Sequence, residues 1–471
     1  MPKEKIYLLS PKKLSPEVIA VVFAKTSRSP LGFDEIADEL SDESSAEFHE
    51  KWVVGYGHAS VAEHAVLHIA IENVSRMAIE CIQSNRLASY TEKSTRYQKW
   101  DSRAFVIPSE LNGHPLKREY KETVKMLFKT YADSLAPTRA IIREKFPRKE
   151  GETDELWDRR IRSKYVDACR FLLPAASYAN VGMTANARVL ESAIRKMLSH
   201  PLAEVRRIGE KIKIAAQAEV PTLVKYADSV PYMTETEKNF SLLGKTCCAP
   251  VPTRGKSVRL IYYDPEAENK ILSAALYRFG EFSFTQAGHY TASLNEEERA
   301  EMAEKLLGKM EKFDIPLREL EYSNYIFDLL MDQGAYYEFK RHRTMTQTPQ
   351  NLTANLGYAT PSLLIEAGFE DRYKNAMDSA AETYQKIAVF NPYLASYLVP
   401  NGFYRRVLAS FNLRQAYHFC QLRAAKNAHF SIRKIARGIH AELKSVHPLL
   451  TKYMRLPEEE TWQDYLNTSS H

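Results

Sequence analysis

Apolar positions along the chain recur mostly at three- and four-residue steps, the period of helices with one buried face. The longest such pattern covers residues 115–146, where Val124, Leu127, Phe128, Tyr131 and Leu135 fall on one side. Two further helical patterns, ARVLESAIRKML and LRQAYHFCQLRAAKNAHFSIRKIARGI, open at Asn-x-Arg elements. Runs of β-branched and aromatic residues read as strands. KIYLLSP precedes the apolar helix EVIAVVFAKTS, and SVRLIYYDP precedes ENKILSAALYRF. Turn formers and polar residues concentrate over 226–257 and mark a boundary. The pattern predicts an α+β chain with more helix than strand: a first domain over 1–230, a linker over 231–254 and a second domain over 255–471.

The halves repeat each other. FLLPAASYANVGMTANAR and YLVPNGFYRRVLASFNLR each carry a Pro followed twelve residues later by Asn-x-Arg. The residues are Pro174, Asn186 and Arg188 in one copy, and Pro400, Asn412 and Arg414 in the other. Each half also places a Glu ahead of its motif, Glu63 in GHASVAEHAVLHIAIENVSR and Glu321 in PLRELEYSNYIFDLL. Spacing shared by chemically different residues is hard to obtain by chance, so the chain reads as a domain-scale duplication.

Composition narrows the classes. At 471 residues the chain exceeds one ordinary core, and 44% apolar with 26% charged residues excludes disordered and fibrous proteins. No apolar run reaches bilayer length, and MPKEKIYLLSPKKLS lacks the apolar stretch of a signal peptide. A cytoplasmic protein without a membrane partner is expected. Cys81, Cys169, Cys247, Cys248 and Cys420 form no CxxC pair, so reduced thiols are expected, with Cys247-Cys248 adjacent in the linker. His64, His68 and His429 complete no zinc-ligand spacing, so no metal is expected. The net charge of +6 is mild and spread out, which suits phosphate-bearing small molecules and offers no tract for nucleic acid. No GxGxxG follows a strand.

Two segments carry the chemistry: RLASYTEKSTRY from Arg86 and RHRTMTQTPQN from Arg341. Ser94, Thr95 and Arg96, with their backbone amides, can cradle a phosphate, and Glu92 can accept from a sugar hydroxyl or ring N–H. Taken alone, such a loop reads equally as solvated surface, and RHR as an exposed basic turn. Together they resemble the signature of the flavin-dependent thymidylate synthases, R-H-R-x-x-S-x-N/Q/T-x-x-S-x-R, whose front clasps flavin and whose back clasps dUMP. The first copy has Ser84 and Asn85 where Arg-His belongs but keeps Arg86, Ser89, Ser94 and Arg96. The second keeps Arg341, His342 and Arg343 but has Thr346, Asn351 and Thr353 at the back. The losses are complementary.

The resemblance implies reductive methylation of dUMP with methylenetetrahydrofolate, FAD and NADPH. It places Glu92, Ser94, Thr95, Arg96 and Arg170 on the nucleotide and Arg423 over the uracil, where a cation favours ionisation of N3. The positions equivalent to Arg170 and Arg423 hold Ser396 and Met197. It places His58, Ser60, Arg86, Asn186, Arg188, Arg341, His342, Arg343, Asn412, Arg414 and His418 on the flavin. His58 reads equally as a capping or core histidine, and Arg423 as a solvated or salt-bridged arginine on a basic helix. The family builds its sites between four subunits, so a duplicated chain is expected as a homodimer with composite sites. Transfer of a hydroxymethyl group to another pyrimidine nucleotide, and a non-catalytic nucleotide-binding paralogue, remain open alternatives.

Overall fold

The computed structural model describes residues 5, 7, 9–27, 29–55, 59–94, 96, 100, 103–247, 256–459 and 462–468. The chain divides into two compact units: Met1–Ser94, Ala104–Lys117 and Ala176–Val251 form the first, and Thr95–Arg103, Arg118–Ala175 and Pro252–His471 the second. The units do not follow the two halves, because residues 118–175 of the first half fold into the second unit.

In the first unit, β1 (Val66–Ser75), β2 (Ser89–Glu92) and β3 (Tyr178–Asn186) make an antiparallel sheet in the order β1-β3-β2. Two helices leave this sheet. α1 (Arg76–Ile82) is capped by Ser75 and α2 (Ala187–Leu198) by Asn186, each side chain accepting from a backbone N–H of the first turn. EVIAVVFAKTS forms the expected helix, Pro16–Thr26. KIYLLSP forms no strand at its described residues Lys5, Tyr7, Leu9, Ser10 and Pro11, while Ile6 and Leu8 lie outside the described residues. The expected linker is largely a helix, Pro231–Thr246. Proline at a first helical position has its own φ preset to the helical value, and the Glu, Lys and Leu after it are good helix formers.

The second unit is built on β4 (Val258–Tyr263), β5 (Tyr325–Asp332), β6 (Thr346–Pro349) and β8 (Tyr404–Phe411), in the order β4-β5-β8-β6, with β7 (Tyr358–Pro361) paired to β9 (Tyr465–Thr468). Along β5 the inward residues Tyr325, Phe327, Leu329 and Met331 are buried in strict alternation, as a half-covered strand requires. α3 (Gln333–Phe339) follows β5, and α4 (Leu413–Arg423) follows β8. The expected long helix after Asn412 is broken: α4 ends at Arg423 and a second helix, Phe430–Val446, starts at a cap made by His429.

First-half segments complete this unit. Leu116–Lys145, the helix expected over 115–146, runs antiparallel to Glu370–Phe390. Lys386 pairs with Glu119 at 2.6 Å, Thr383 bonds Thr123 at 2.9 Å, and Arg372 pairs with Asp133. The repeated segments around Pro174 and Pro400 then pair with each other. The Ala175 N–H donates to Val399 O at 3.0 Å, and the Asn401 N–H donates to Leu173 O at 3.0 Å. Exchanging the two Pro segments maps each bond onto the other, which is local two-fold symmetry between the copies.

Candidate active site

In the second unit, α3 begins at Asp332, whose Oδ1 accepts from the Ala335 N–H at 2.8 Å, and carries Glu338 in its last turn. α4 begins at Asn412, whose Oδ1 accepts from the Gln415 N–H at 2.9 Å, and ends at Arg423. Arg423 joins the two elements. Its Nη1 donates to Glu338 Oε2 at 3.2 Å, and its Nε donates to His342 Nε2 at 2.9 Å. An imidazole nitrogen that accepts carries no proton, so His342 is neutral with its hydrogen on Nδ1. Burial, then Arg423, His418, Arg341 and Arg343, holds its pKa well below the usual range. The exposed ring of His418 lies 5.6 Å from that of His342.

Behind this pair sits Arg170, only 3% exposed. Its Nη2 lies 3.6 Å from Glu338 Oε1 and donates to Gly334 O at 3.3 Å. A Cβ at Gly334 would stand 3.0 Å from Asp332 Oδ1 and 3.5 Å from Arg170 Nη2, so the close approach depends on glycine. Burial lowers the Arg170 pKa, opposed by Asp167, Glu338 and Asp332. Burial also lifts the Asp332 carboxyl to about 6, with hydrogen bonds and Arg170 pulling the other way.

Arg96 is held by Asp167 in two-pronged fashion, Nε to Oδ1 at 2.8 Å and Nη2 to Oδ2 at 2.7 Å, and Nη1 donates to Asn427 O at 2.8 Å. The fully buried His429 fixes this carboxylate's backbone: Nε2 donates to Asp167 O at 3.0 Å while Nδ1 accepts from the Ser431 N–H at 3.2 Å. The cluster thus sets Arg96, Arg170, Arg341, Arg343 and Arg423 against Asp167, Asp332 and Glu338. Its excess is positive, the balance an anionic ligand requires.

The first unit holds the corresponding elements of the other copy. Counted from the caps Ser75 and Asn186, Cys81 stands where Glu338 stands, Asn85 where His342 stands and Met197 where Arg423 stands. Lys196 Nζ donates to Ser84 Oγ and to Asn85 Oδ1, both at 3.0 Å, and Met197 is 1% exposed. Cys81 is a thiol pushed up to about 12 by burial. Neutral groups and one lysine fill the place of the carboxylate–arginine–histidine set.

Several expected ligand residues have other tasks. The Glu92 carboxylate, expected on the nucleotide, pairs with Arg76 at 3.0 Å, both side chains almost fully buried, and accepts from Gln83 Nε2 at 3.2 Å. Asn186 and Asn412 spend their side-chain oxygens on helix caps. Arg188 pairs with Glu63, and Arg414 with Glu321 at 2.8 Å, so the repeated Glu and Asn-x-Arg form one capping module in each unit. Arg170 is buried and neutralised instead of facing solvent. Ser60 is exposed beside a cavity of about 680 Å³ lined by Phe23, Phe48, Trp52 and His64, and Arg86 is exposed. Ser94 is half-buried at the end of its unit. His58 and Thr95 lie outside the described residues.

The family described as thymidylate synthase complementing protein matches residues 9–222 and again 259–449. The chain belongs to this family. Two matches in one chain make it a tandem form, as the complementary motif copies suggested. A UPF0159 protein from Chlamydia pneumoniae is 28% identical over 477 residues, covering 93% of this chain and 90% of its own. A UPF0159 protein from Thermoplasma acidophilum is 28% identical, covering 88% and 89%. A flavin-dependent thymidylate synthase from Clostridium tetani is 30% identical over 217 residues, 45% of this chain and 82% of its own. A protein of one-domain length therefore aligns to about half of this chain, in keeping with the duplication. Among the described residues no helix is long and apolar enough to cross a membrane, and no group of His, Cys, Asp and Glu is arranged to hold a metal ion.

Sequence reasoning missed Asp167, Asp332 and Glu338, and weighed His429 only as a zinc ligand. Glu338 had a signal, a carboxylate just before RHR in YYEFKRHR. Asp167 had none, since its pairing to Arg96 spans 71 residues.

Proposed function

We propose that the chain is a flavin-dependent thymidylate synthase that methylates dUMP at C5. The methylene of methylenetetrahydrofolate would replace the C5 hydrogen and be reduced to methyl with two electrons from NADPH, releasing tetrahydrofolate and NADP. The observation that carries this reading is the position of Arg423. It bonds His342 of the flavin-type RHR and shares Glu338 with Arg170 of the nucleotide-type set, all within one compact unit. The donor set fits a flavin nucleotide: Arg341 and His418 are exposed, Arg343 is half-buried, and the His342 ring is fixed by Arg423. Bound FAD would supply the electron relay between NADPH and the pyrimidine.

The other tasks fall to this chain's residues. Arg341 and Arg343 would neutralise flavin phosphates, and His342 and His418 would border its ring. Arg96, oriented by Asp167, would meet the nucleotide phosphate, and Arg170 would support it from behind as a buried charge. Arg423 would lie on the pyrimidine edge, where a cation favours loss of the N3 proton. With its site residues drawn from both halves, the chain is proposed to act as a homodimer, which light scattering would test.

The deciding experiment is tritium release from C5-labelled dUMP with the flavin-loaded protein. Release that requires both NADPH and methylenetetrahydrofolate, with a product heavier than dUMP by one methylene, supports the reading. A flavin-free protein that binds dUMP and releases no tritium would replace it with a nucleotide-binding module.

A further inference from the structure

We infer that Glu338 is a positioning residue that clamps Arg423 against His342 and so fixes the face Arg423 presents to the pyrimidine. The inference rests on the proposed function for what Arg423 meets, and on geometry alone for the clamp. Arg423 gives Nη1 to Glu338 at 3.2 Å and Nε to His342 at 2.9 Å. Its Nη2 has no partner among the described residues and is the edge left for a ligand. The two bonds fix the guanidinium plane, and a planar fork held at two corners presents its third in one direction.

Burial supports a dedicated role. Glu338 is 6% exposed, and its Oε1 accepts no hydrogen bond among the described residues, with Arg170 Nη2 standing 3.6 Å away. Removing a carboxylate from water is costly unless its pairing is close; Arg170 at 3.6 Å repays little of that, and the closer bond is the one Oε2 accepts from Arg423. Glu338 is therefore a poor device for stabilising a core. It suits a residue that holds something else in place.

The duplicated copy supplies a control within the same chain. Cys81 occupies the Glu338 position and Met197 the Arg423 position, so carboxylate and arginine are absent together. Lys196 reaches Ser84 and Asn85 there without any carboxylate in the Glu338 position. A carboxylate that only filled space in this helix would have no reason to accompany the arginine.

The test uses the full-length, FAD-loaded protein with Glu338→Gln and Glu338→Asp. Glutamine keeps the size and removes the charge. It should lower turnover about tenfold or more while tightening dUMP several-fold, because a negative charge has left an anion site. Aspartate keeps the charge but falls short of Arg423, so it should lower turnover similarly with dUMP affinity unmoved. FAD content should stay at the wild-type level in both. A ligand-free signature completes the set: in protein carrying nitrogen-labelled histidine, the resonance of a hydrogen-bonded His342 Nε2 should be present in the wild type and lost in both variants. Wild-type turnover and an unchanged His342 resonance in the variants would overturn the clamp. So would parallel loss of FAD, dUMP binding and melting temperature, which would mark Glu338 as scaffold. A wild type that releases no tritium would remove the proposed function, while the His342 resonance would still decide the clamp.

Discussion

Glu92→Gln separates two roles for a residue that the family signature places on the nucleotide. In the structure its carboxylate is 2% exposed, lies 3.0 Å from Arg76 Nη1, and accepts from Gln83 Nε2 at 3.2 Å; Arg76 is 3% exposed. Breaking a buried ion pair from one side leaves a charge out of water without its counter-ion, at a cost of about 3–5 kcal/mol. Glutamine retains the shape and one acceptor, so the low end, about 3 kcal/mol, is expected. Loss of that size should lower the midpoint of urea unfolding with an unchanged slope, since the surface exposed on unfolding is the same. Titration calorimetry on the folded variant should find dUMP affinity within about threefold of the wild type, a difference of less than 1 kcal/mol. The reverse pattern, an unmoved unfolding midpoint with dUMP binding weakened tenfold or more, would overturn the structural role. That result would put Glu92 on the nucleotide and make its bond to Arg76 incidental.

Arg96→Ala should abolish dUMP binding and leave flavin absorbance intact, whereas His342→Ala with Arg343→Ala should lose flavin; equal flavin loss in both would contradict the division of clasps. Calorimetry should count one dUMP and one FAD per chain, because the Cys81, Asn85 and Met197 copy offers no matching cation set, and two equally tight dUMP sites per chain would refute this. Asp332→Asn should change how stability depends on pH. The folded carboxyl sits at about 6, above its ordinary 3.8, so the folded chain holds that proton more tightly, and the group's cost is absent below about pH 4 and complete above about pH 6. A shift of that size is worth on the order of 3 kcal/mol. Asparagine, which keeps the helix cap, should therefore gain stability relative to the wild type as pH rises from 4 to 7, and parallel pH curves from chemical unfolding would disprove it.

What was legible in the sequence was local or repeated. The helices over 16–26, 187–198 and 267–279 and the strand β4 follow from apolar period and turn residues within a dozen positions. The duplication was legible because Pro, Asn and Arg recur at one spacing, although its purpose was not: both Asn residues are N-caps and both Arg residues pair with the upstream Glu. Asn ahead of an apolar helix is a capping signal in its own right. The partners of the site arginines were illegible for a plainer reason. Asp167 is 71 residues from Arg96, and Glu338 is 85 from Arg423, so no periodicity links them. The interleaved units were illegible too, since residues 118–175 carry the same amphipathic pattern whichever unit they pack in.

Complementary decay of two motif copies raises the question of what became of the places that lost their charges. At the local two-fold around Pro174 and Pro400, Arg170 on one side corresponds to Ser396 on the other. Ser396 is 2% exposed, and its hydroxyl donates to Leu352 O at 2.6 Å, so the position that lacks the arginine carries a satisfied donor. Met197 is likewise packed in the core, and Asn85 is tied to Lys196 and to Ile82 O. Each surrendered position was repacked with a partner of its own. Repacking of this kind is stable only where the retained copy no longer needs the symmetric residue, because reinserting an arginine at Ser396 would bury a charge among groups already satisfied. Within the second unit the consequence is visible directly. The arginine survives on the side where Asp167, Glu338 and Asp332 together favour its charge, and a serine closes the side where its hydroxyl reaches the backbone carbonyls of Leu352 and Pro392.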